Sequence, residues 1–345
     1  MKNQMKIIFI IIGTLIGAGF ASGKEIEIFF FQYGVYGIIG MSISIALIGI
    51  VIYRTLLIVK NKKTQNYKEF LKQISEKTNI KSKKIIIETS NLLINTFTLI
   101  TFFIMIAGFG SYFQEQIGIN KIIGSTILAL ICLIIFKTDI QGVMKANEIV
   151  VPILIIILTL LSILNLKNIQ QIQLITTNGS NWIISALEYS GYNILLLIPV
   201  LITLKEFLDN KKITKKQIAN IAIIVAIVVL ILAMGIFTML MQNQNIFKNE
   251  MPIAKVISNM SQIYIIAYGV LIMFSIFTTS IALGTSFLKN TKYNYNAKAI
   301  VICIISILVS NIGFSNLINV TYPFFGILGI IEIFFVCFFK KDIVK

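Results

Sequence analysis

Between residues 13 and 25, a long hydrophobic run is interrupted by four glycines and by the charged pair Lys24 and Glu25. Without the interruption the run is long enough to cross a membrane, for which about 20 apolar residues suffice. Backbone that leaves the helical hydrogen-bonding pattern at membrane depth is tolerated only where it is buried in protein or lines a watery cavity. The segment therefore predicts a first helix that is broken near Gly17 to Phe20, with a binding site at the break.

The composition indicates a multi-pass membrane protein. Hydrophobic residues make up 57% of the 345 residues and charged residues 13%, and the mean hydropathy is +0.90, values that exclude an ordinary water-soluble domain. The formal net charge is +16. Because the lysines lie between apolar runs, where they set topology and meet anionic lipid headgroups, we expect a lipid bilayer and no nucleic acid as partner.

Enzyme chemistry is not indicated. The chain has no histidine, which removes the commonest metal ligand and the side chain best suited to relay protons near neutral pH. Its three cysteines stand singly in apolar runs, as inert buried thiols do. Since no cluster of nucleophile, base and metal ligand occurs, we expect a protein that is not an enzyme and has no cofactor other than a coupling ion.

A window of about 20 apolar residues identifies ten candidate membrane spans. They lie at 7–33, 36–59, 85–113, 121–136, 148–166, 182–204, 218–241, 262–288, 298–316 and 321–339. Lysine and arginine are concentrated in the even-numbered connections and at the chain ends, so the positive-inside rule predicts a plasma-membrane protein with both termini cytoplasmic. Two connections are long enough for a helix of their own: the basic, amphipathic cytoplasmic connection 60–84 and the outer connection 242–261.

The sixth span contains a polar, glycine-containing interruption at residues 190–193. It is the first span of the second set of five, as the interrupted first span is of the first set. Broken helices at corresponding positions of two halves point to a secondary transporter with inverted repeats and a site near the bilayer midplane. We predict two five-helix repeats, 1–166 and 182–345. The alternative is that the glycines of both spans only let helices approach closely.

The first span and the residues behind it resemble a known family. The residues concerned are the run 13–25 with Phe29, Phe30, Gly34 and Gly37. They resemble the signature of the YkvI-type membrane proteins, which are grouped with amino-acid permeases of the amino acid-polyamine-organocation (APC) superfamily. Residues 274–283 and 326–335 are similar to the eighth and tenth helices of sodium-coupled transporters of the LeuT fold. The resemblance implies an all-α integral membrane protein, a LeuT-type bundle of about ten transmembrane helices in which helices 1 and 6 are broken.

A broken first helix would expose backbone groups of both signs. N–H groups from Gly19 to Ser22, at the positive end of a helix dipole, suit a substrate carboxylate. Carbonyls around Gly13, Ile16 and Ser190 suit a cation or a substrate ammonium group, and a zwitterionic amino acid needs both. The predicted substrate-binding residues are Gly17, Ala18, Gly19, Phe20, Ala21, Ser22, Ser190, Gly191, Tyr192 and Asn193.

The resemblance to the LeuT fold also implies a sodium site. Backbone oxygens of Gly13, Ile16 and Ser275 and the hydroxyls of Thr278 and Thr279 would form the all-oxygen shell that hard cations prefer. The alternative for the two threonines is ordinary hydrogen bonding to carbonyls one turn back in the helix.

Ionisable residues at membrane depth are candidates for function. Lys24, Glu25 and Glu188 lie on the outer side of the predicted site and would suit an outer gate, the alternative being a structural ion pair that shields Lys24. Glu332 lies near the middle of span ten and is either a structural hydrogen-bonding group, the interpretation we favour from the sequence, or a proton acceptor.

The sequence as a whole favours a secondary active transporter, a sodium-coupled amino-acid symporter that works by alternating access. Two alternatives stay open. One is an amino-acid-sensing membrane receptor subunit related to spore-germination nutrient receptors, which would bind without accumulating its ligand. The other is a proton-coupled permease.

Overall fold

The structure is a computed structural model that describes residues 2–62, 64, 66–75, 83–136, 141–166, 181–208, 213–241, 249–289 and 294–338. Over these residues, eight helices are long and apolar enough to cross a membrane. Two shorter apolar helices, within Gln4–Leu15 and Lys121–Phe136, supply the remaining spans. All ten predicted spans are therefore helical, while their division into two repeats, 1–166 and 182–345, stays a prediction.

Fifteen α-helices are assigned in the described residues. They are α1 (Lys2–Leu15), α2 (Ala18–Ala21), α3 (Lys24–Phe29), α4 (Val35–Lys62), α5 (Tyr67–Ser75), α6 (Lys83–Tyr112), α7 (Lys121–Phe136), α8 (Gln141–Leu166), α9 (Trp182–Thr203), α10 (Lys205–Leu208), α11 (Lys215–Leu240), α12 (Pro252–Ile257), α13 (Gln262–Lys289), α14 (Tyr295–Val309) and α15 (Phe314–Phe338). Because consecutive spans run in alternate directions, α4, α9 and α15 end on the side where α1 begins. We call this the amino-terminal side.

The predicted break in the first span is confirmed. Helix α1 ends at Leu15, and Gly17 is extended, with φ −81° and ψ −173°. A second interruption separates α2 from α3 at Gly23, whose φ of +81° is left-handed, a conformation that glycine adopts without strain. The first span thus consists of three short helices, and the middle one is completely buried.

The predicted break in the sixth span is wrong. Helix α9 is continuous from Trp182 to Thr203. The hydroxyl of Ser190 donates to the carbonyl of Ala186 at 2.9 Å, and the amide of Asn193 donates to the carbonyl of Tyr189 at 2.9 Å. Polar residues that bond one turn back in this way satisfy themselves inside a membrane helix and do not interrupt it.

Gly191 serves close packing between α9 and α15. A Cβ atom at Gly191 would overlap the carbonyl oxygen of Gly326 and lie 2.8 Å from its carbonyl carbon. In return, a Cβ at Gly329 would lie 2.7 Å from the Cα of Gly191, and one at Gly326 would lie 2.7 Å from the Cα of Glu188. Small residues that bring two backbones together are a common way to join membrane helices. Gly191 therefore lets two helices approach closely, which is the alternative stated for it, and it does not interrupt α9.

Each of the two long connections contributes a helix. On the amino-terminal side, α5 buries Phe70, Leu71 and Ile74 and exposes Lys68 and Lys72, which confirms the amphipathic pattern predicted for 60–84. Residues 76–82 of that connection lie outside the described residues. On the opposite side, α12 forms within the predicted outer connection, of which residues 242–248 likewise lie outside the described residues.

Candidate functional site

A cavity of about 140 Å³ lies against the break in the first span, among α1, α6, α9, α13 and α15. Gly13 and Gly17 line it from the first span, Tyr192 and Asn193 from α9, and Thr279 from α13. A Cβ at Gly17 would have no atom within 4 Å, so the backbone at the break faces open space. The structure therefore gathers part of the predicted substrate and sodium residues around one space.

Glu25 carries the only carboxylate among the described residues that line this cavity, and neither lysine nor arginine lines it. The Glu25 side chain folds back over Gly19, where a Cβ would overlap its carboxylate. The hydroxyl of Tyr192 and the backbone N–H of Phe20 donate hydrogen bonds to this carboxylate. A buried carboxyl group thus stands where the first helix is broken, although the sequence predicts this residue at a gate.

Aromatic rings hold Tyr192 in position beside Glu25. Tyr192 stacks on Tyr322 of α15 with ring centroids 4.5 Å apart and on Phe29 of α3 at 5.5 Å, and Tyr189 meets it edge-on at 5.4 Å. Tyr322 also lines the cavity, and sequence reasoning missed it because nothing in a single apolar helix ranks which aromatic ring faces inward. Because the ring of Tyr192 is stacked on its neighbours, the Glu25 carboxyl group is what this side of the cavity offers to an ammonium group.

The backbone N–H groups predicted for a substrate carboxylate are mostly engaged within the protein. Ala21 N–H donates to Gly17 at 2.9 Å, Ser22 N–H donates to Ala18 at 2.9 Å, and Phe20 N–H is taken by Glu25. The prediction that these three amides bind the substrate is wrong, because a short helical turn and an internal carboxylate satisfy them first.

Other predicted substrate residues also lie away from the cavity. Ala18, Phe20, Ala21 and Ser22 are buried, and Ser190 and Gly191 face neighbouring helices. Their burial follows from the packing of α2 and of the continuous α9. Gly17, Tyr192 and Asn193 are the predicted substrate residues that line the cavity.

Some of the predicted sodium ligands line the cavity, and the others are buried in the surrounding protein. Gly13 and Thr279 line the cavity, whereas Ile16, Ser275 and Thr278 are buried. The hydroxyl of Thr278 donates to the carbonyl of Ser275 at 3.2 Å, which is the local bonding considered as the alternative. Carbonyl oxygen and hydroxyl groups are donors that fit sodium, and the site itself stays a prediction.

The charged residues predicted as a gate have separate places. Lys24 pairs with Glu27 at 3.1 Å, both side chains being almost fully buried, and not with its neighbour Glu25. Glu188 is partly buried on α9 and does not line the cavity. A structural ion pair therefore shields Lys24, and Glu25 alone of the three candidates reaches the cavity.

Residues 249–257, which include α12, close the site from the side opposite to the amino-terminal side. We call them the cap. Ile253 N–H donates to the carbonyl of Ser22 at 2.9 Å, next to the break. The carboxylate of Glu115 accepts from the N–H groups of Glu250 at 2.7 Å and Met251 at 3.1 Å. Charge-assisted bonds of this kind are stronger than neutral ones.

The cavity itself extends toward the amino-terminal side. Its lining includes Leu196, Pro199 and Val200 from the last part of α9 and Ser286 from the last part of α13, and both of these helices end on that side. With the cap packed on the other side, the structure shows one face of the site closed and the cavity displaced toward the other.

Comparisons with known proteins agree with this architecture. The chain is 27% identical to the "Uncharacterized membrane protein YkvI" of Bacillus subtilis (strain 168) over 343 residues, which cover 95% of this chain and 93% of that protein. It is 24% identical to the "Uncharacterized protein YyaD" of the same organism over 336 residues, 95% of this chain and 94% of that one. No protein-family model matches the chain.

Among solved structures, the inward-facing conformation of Mhp1 matches with a TM-score of 0.62 at 13% identity, covering 96% of this chain and 75% of that one. The chain has the LeuT fold. A substrate-bound, outward-open Na⁺-coupled sialic acid symporter matches with a TM-score of 0.53 at 14% identity, over 92% of this chain and 72% of that one. The protein is therefore an all-α, multi-pass membrane protein, and its α9 is an unbroken sixth span.

Proposed function

We propose that this protein is a secondary active transporter that carries an amino acid by alternating access and uses sodium as its coupling ion. The observation that carries the proposal is the cavity at the broken first span, with the cap closed over one side of it. Broken helices that line a cavity at membrane depth are typical of secondary transporters. The structural neighbours that share the fold include a Na⁺-coupled symporter.

The chemistry of the cavity supports a substrate with an amino group. The carboxylate of Glu25, beside the rings of Tyr192 and Tyr322, is the natural partner of an ammonium group. The volume of about 140 Å³ is similar to that of an engineered cavity of about 150 Å³ that holds benzene. The carboxylate favours a substrate with an amino group, and the volume favours a small amino acid over a bulky one.

The same chemistry supports a coupling cation. The carboxylate of an amino acid needs a positive partner once it leaves water, and no lysine or arginine lines the described part of the cavity. A sodium ion held by the carbonyl of Gly13 and the hydroxyl of Thr279 would supply that charge beside the substrate. Binding of the ion and of the amino acid would then reinforce each other, as symport requires.

The orientation belongs to the proposal as well. The density of lysine and arginine around the chain ends places the amino-terminal side in the cytoplasm by the positive-inside rule. The cap is then extracellular, and the conformation described here is one in which the site is closed to the outside.

The test is uptake of radiolabelled amino acids, first as a mixture and then singly, into proteoliposomes under a sodium gradient. We expect saturable accumulation in the wild type and its loss in Glu25→Gln. Thr279→Ala should raise the sodium concentration for half-maximal uptake at least about tenfold, equivalent to about 1.4 kcal/mol. Thr126→Ala, which removes a hydroxyl from the surface of α7, should not change it.

Two outcomes would refute the proposal. Binding of an amino acid without accumulation would indicate a receptor instead of a transporter. Accumulation that ignores sodium and follows a pH gradient would replace sodium with the proton.

A further inference from the structure

Glu332 on α15 is a buried carboxyl group outside the central cavity. Its side chain is 6% exposed, and neither of its two carboxyl oxygens has a hydrogen-bond partner among the described residues. Buried polar groups are rarely left without a partner, and each such group calls for an explanation. The sequence favours a structural hydrogen-bonding role for this group, but the described residues make no such bond with it.

A separate pocket surrounds this carboxyl group, formed by α5, α6, α9 and α15. Its walls are aliphatic or aromatic, with Leu71 from α5, Ile87 from α6, Leu195 from α9 and Phe335 from α15. Ser90 contributes the one hydroxyl among the described residues that line it. The pocket therefore offers almost nothing that could stabilise a negative charge.

None of the charged side chains that the structure describes on the surrounding elements bonds to the Glu332 carboxyl group. On this side of the molecule, α4 carries Arg54, Lys60 and Lys62, α6 carries Glu88 among its described side chains, and α5 carries Lys68, Glu69 and Lys72, beside the phenol of Tyr67. Arg54 donates to the backbone carbonyls of Val336 and Cys337, and Glu88 is exposed. From Tyr192 to its end, α9 carries no charge.

The nature of the missing partner follows from this composition. An ionised carboxylate taken out of water without a partner is costly enough that it takes up a counter-charge or becomes neutral. A metal cation needs several oxygen ligands, and this pocket supplies the Glu332 carboxyl and one hydroxyl. A proton needs only the carboxylate oxygen itself.

The position of the pocket links it to the transport site. Leu195 of α9 lines both this pocket and the central cavity, so the two spaces adjoin at this residue. Helix α5 contributes Leu71 and Ile74 to the pocket wall on the amino-terminal side. Outward movement of α5 would connect the carboxyl group with water on the same side toward which the central cavity extends.

We propose that Glu332 is a proton-binding site that is loaded from the amino-terminal side and lies next to the central cavity. Its coupling to a carried solute rests on the proposed transport function, whereas the binding of a proton does not. The bond concerned is O–H: a carboxylate oxygen takes up a proton from water when the pocket opens and holds it when α5 closes.

Infrared difference spectroscopy of the protein in liposomes tests the site directly. The wild type at neutral pH should show the carbonyl stretch of a protonated carboxyl group that is absent from Glu332→Gln and shifts in heavy water. Glu88→Gln removes an exposed glutamate from α6 and should keep the band. A spectrum of Glu332→Gln identical to that of the wild type in this region would overturn the proposal.

A stability measurement distinguishes the site from a structural one. Because no hydrogen bond is lost, Glu332→Leu should unfold at the same temperature as the wild type or at a higher one. A clear loss of stability in both Glu332→Leu and Glu332→Gln would mean that the carboxyl has a structural partner, and the proposal would fail.

Proton movement tests the coupling. Proteoliposomes that contain a pH-sensitive dye are exposed to a mixture of the twenty common amino acids in the presence of sodium. We expect a pH change in the wild type that falls at least tenfold in Glu332→Gln, while Glu88→Gln behaves as the wild type. An equal pH change in Glu332→Gln would refute the coupling. If no variant accumulates any amino acid but the infrared band is present, the transport proposal fails and the proton site stands.

Discussion

The contact between α9 and α15 allows a quantitative test of the continuous sixth span. In Gly191→Ala, the added Cβ would lie 2.8 Å from the carbonyl carbon of Gly326 and 3.1 Å from the backbone nitrogen of Ile330. Ordinary contact begins at 3.4 Å, and the carbonyl oxygen of Gly326 lies closer to the built Cβ than either of these atoms, so α15 must withdraw by clearly more than about 0.6 Å. No side-chain rotation can relieve the overlap, because backbone meets backbone. Overpacking of this kind costs about 1–3 kcal/mol.

The chain supplies its own probe for this measurement. Trp182 is the only tryptophan, and it begins α9, where its ring stacks on Tyr36 of α4 with centroids 6.1 Å apart. Its fluorescence during denaturant unfolding in detergent therefore reports on α9. We expect the free energy of unfolding of Gly191→Ala to be lower than that of the wild type by about 1–3 kcal/mol.

Gly17→Ala is the matched control, since Gly17 has no atom within 4 Å of a built Cβ and its extended backbone suits any residue. Its stability should stay within about 0.5 kcal/mol of the wild type. If Gly191→Ala were equally harmless to stability yet impaired uptake, the close contact would be refuted and a local break in α9 would become the better explanation.

Two further predictions concern the two faces of the site. Gly17→Leu should abolish uptake with unchanged abundance in the membrane, because the leucine side chain would enter the cavity. Gly17→Ala should keep most of the wild-type uptake. Normal uptake in the leucine variant would reduce Gly17 to a packing residue. Glu115→Ala leaves the backbone amides of Glu250 and Met251 without their acceptor, so Ser22→Cys, in a background without native cysteines, should react faster with a membrane-impermeant maleimide added on the cap side. Unchanged labelling would show that Glu115 does not hold the cap.

The sequence was sufficient for the break in the first span but not for the state of the sixth. Around Gly17, the apolar run, the spacing of the glycines and the charged pair behind them all predict an interrupted helix. The interruption depends on residues that are neighbours in the sequence. The sequence around Gly191 is the same whether this glycine interrupts its own helix or lets a second helix pack closely against it. The residues that decide between these, Gly326 and Gly329, lie more than 130 positions away, and only the fold brings them together.

The site was predictable in its location and not in its detail. The glycines predict an interruption of the helix and hence a cavity beside it, and Tyr192 and Asn193 do line this cavity, while their contact with a substrate stays a prediction. The fold-back of Glu25 onto the Phe20 amide depends on the left-handed turn at Gly23 and on the Tyr192 hydroxyl, neither of which a linear pattern specifies. For this reason a residue predicted as a gate lines the cavity.

The cap is held to the rest of the protein by main-chain hydrogen bonds as well as by the side chain of Glu250, which accepts from the N–H of Ser315 at 2.6 Å. The backbone groups of Glu250, Met251 and Ile253 make the bonds to Glu115 and Ser22, and Pro252 at the start of α12 fixes the local backbone. Such bonds do not depend on which side chains the cap carries, but they do depend on where each amide falls. A one-residue insertion or deletion would move these amides out of register with their acceptors, so the length of this segment is constrained independently of its composition.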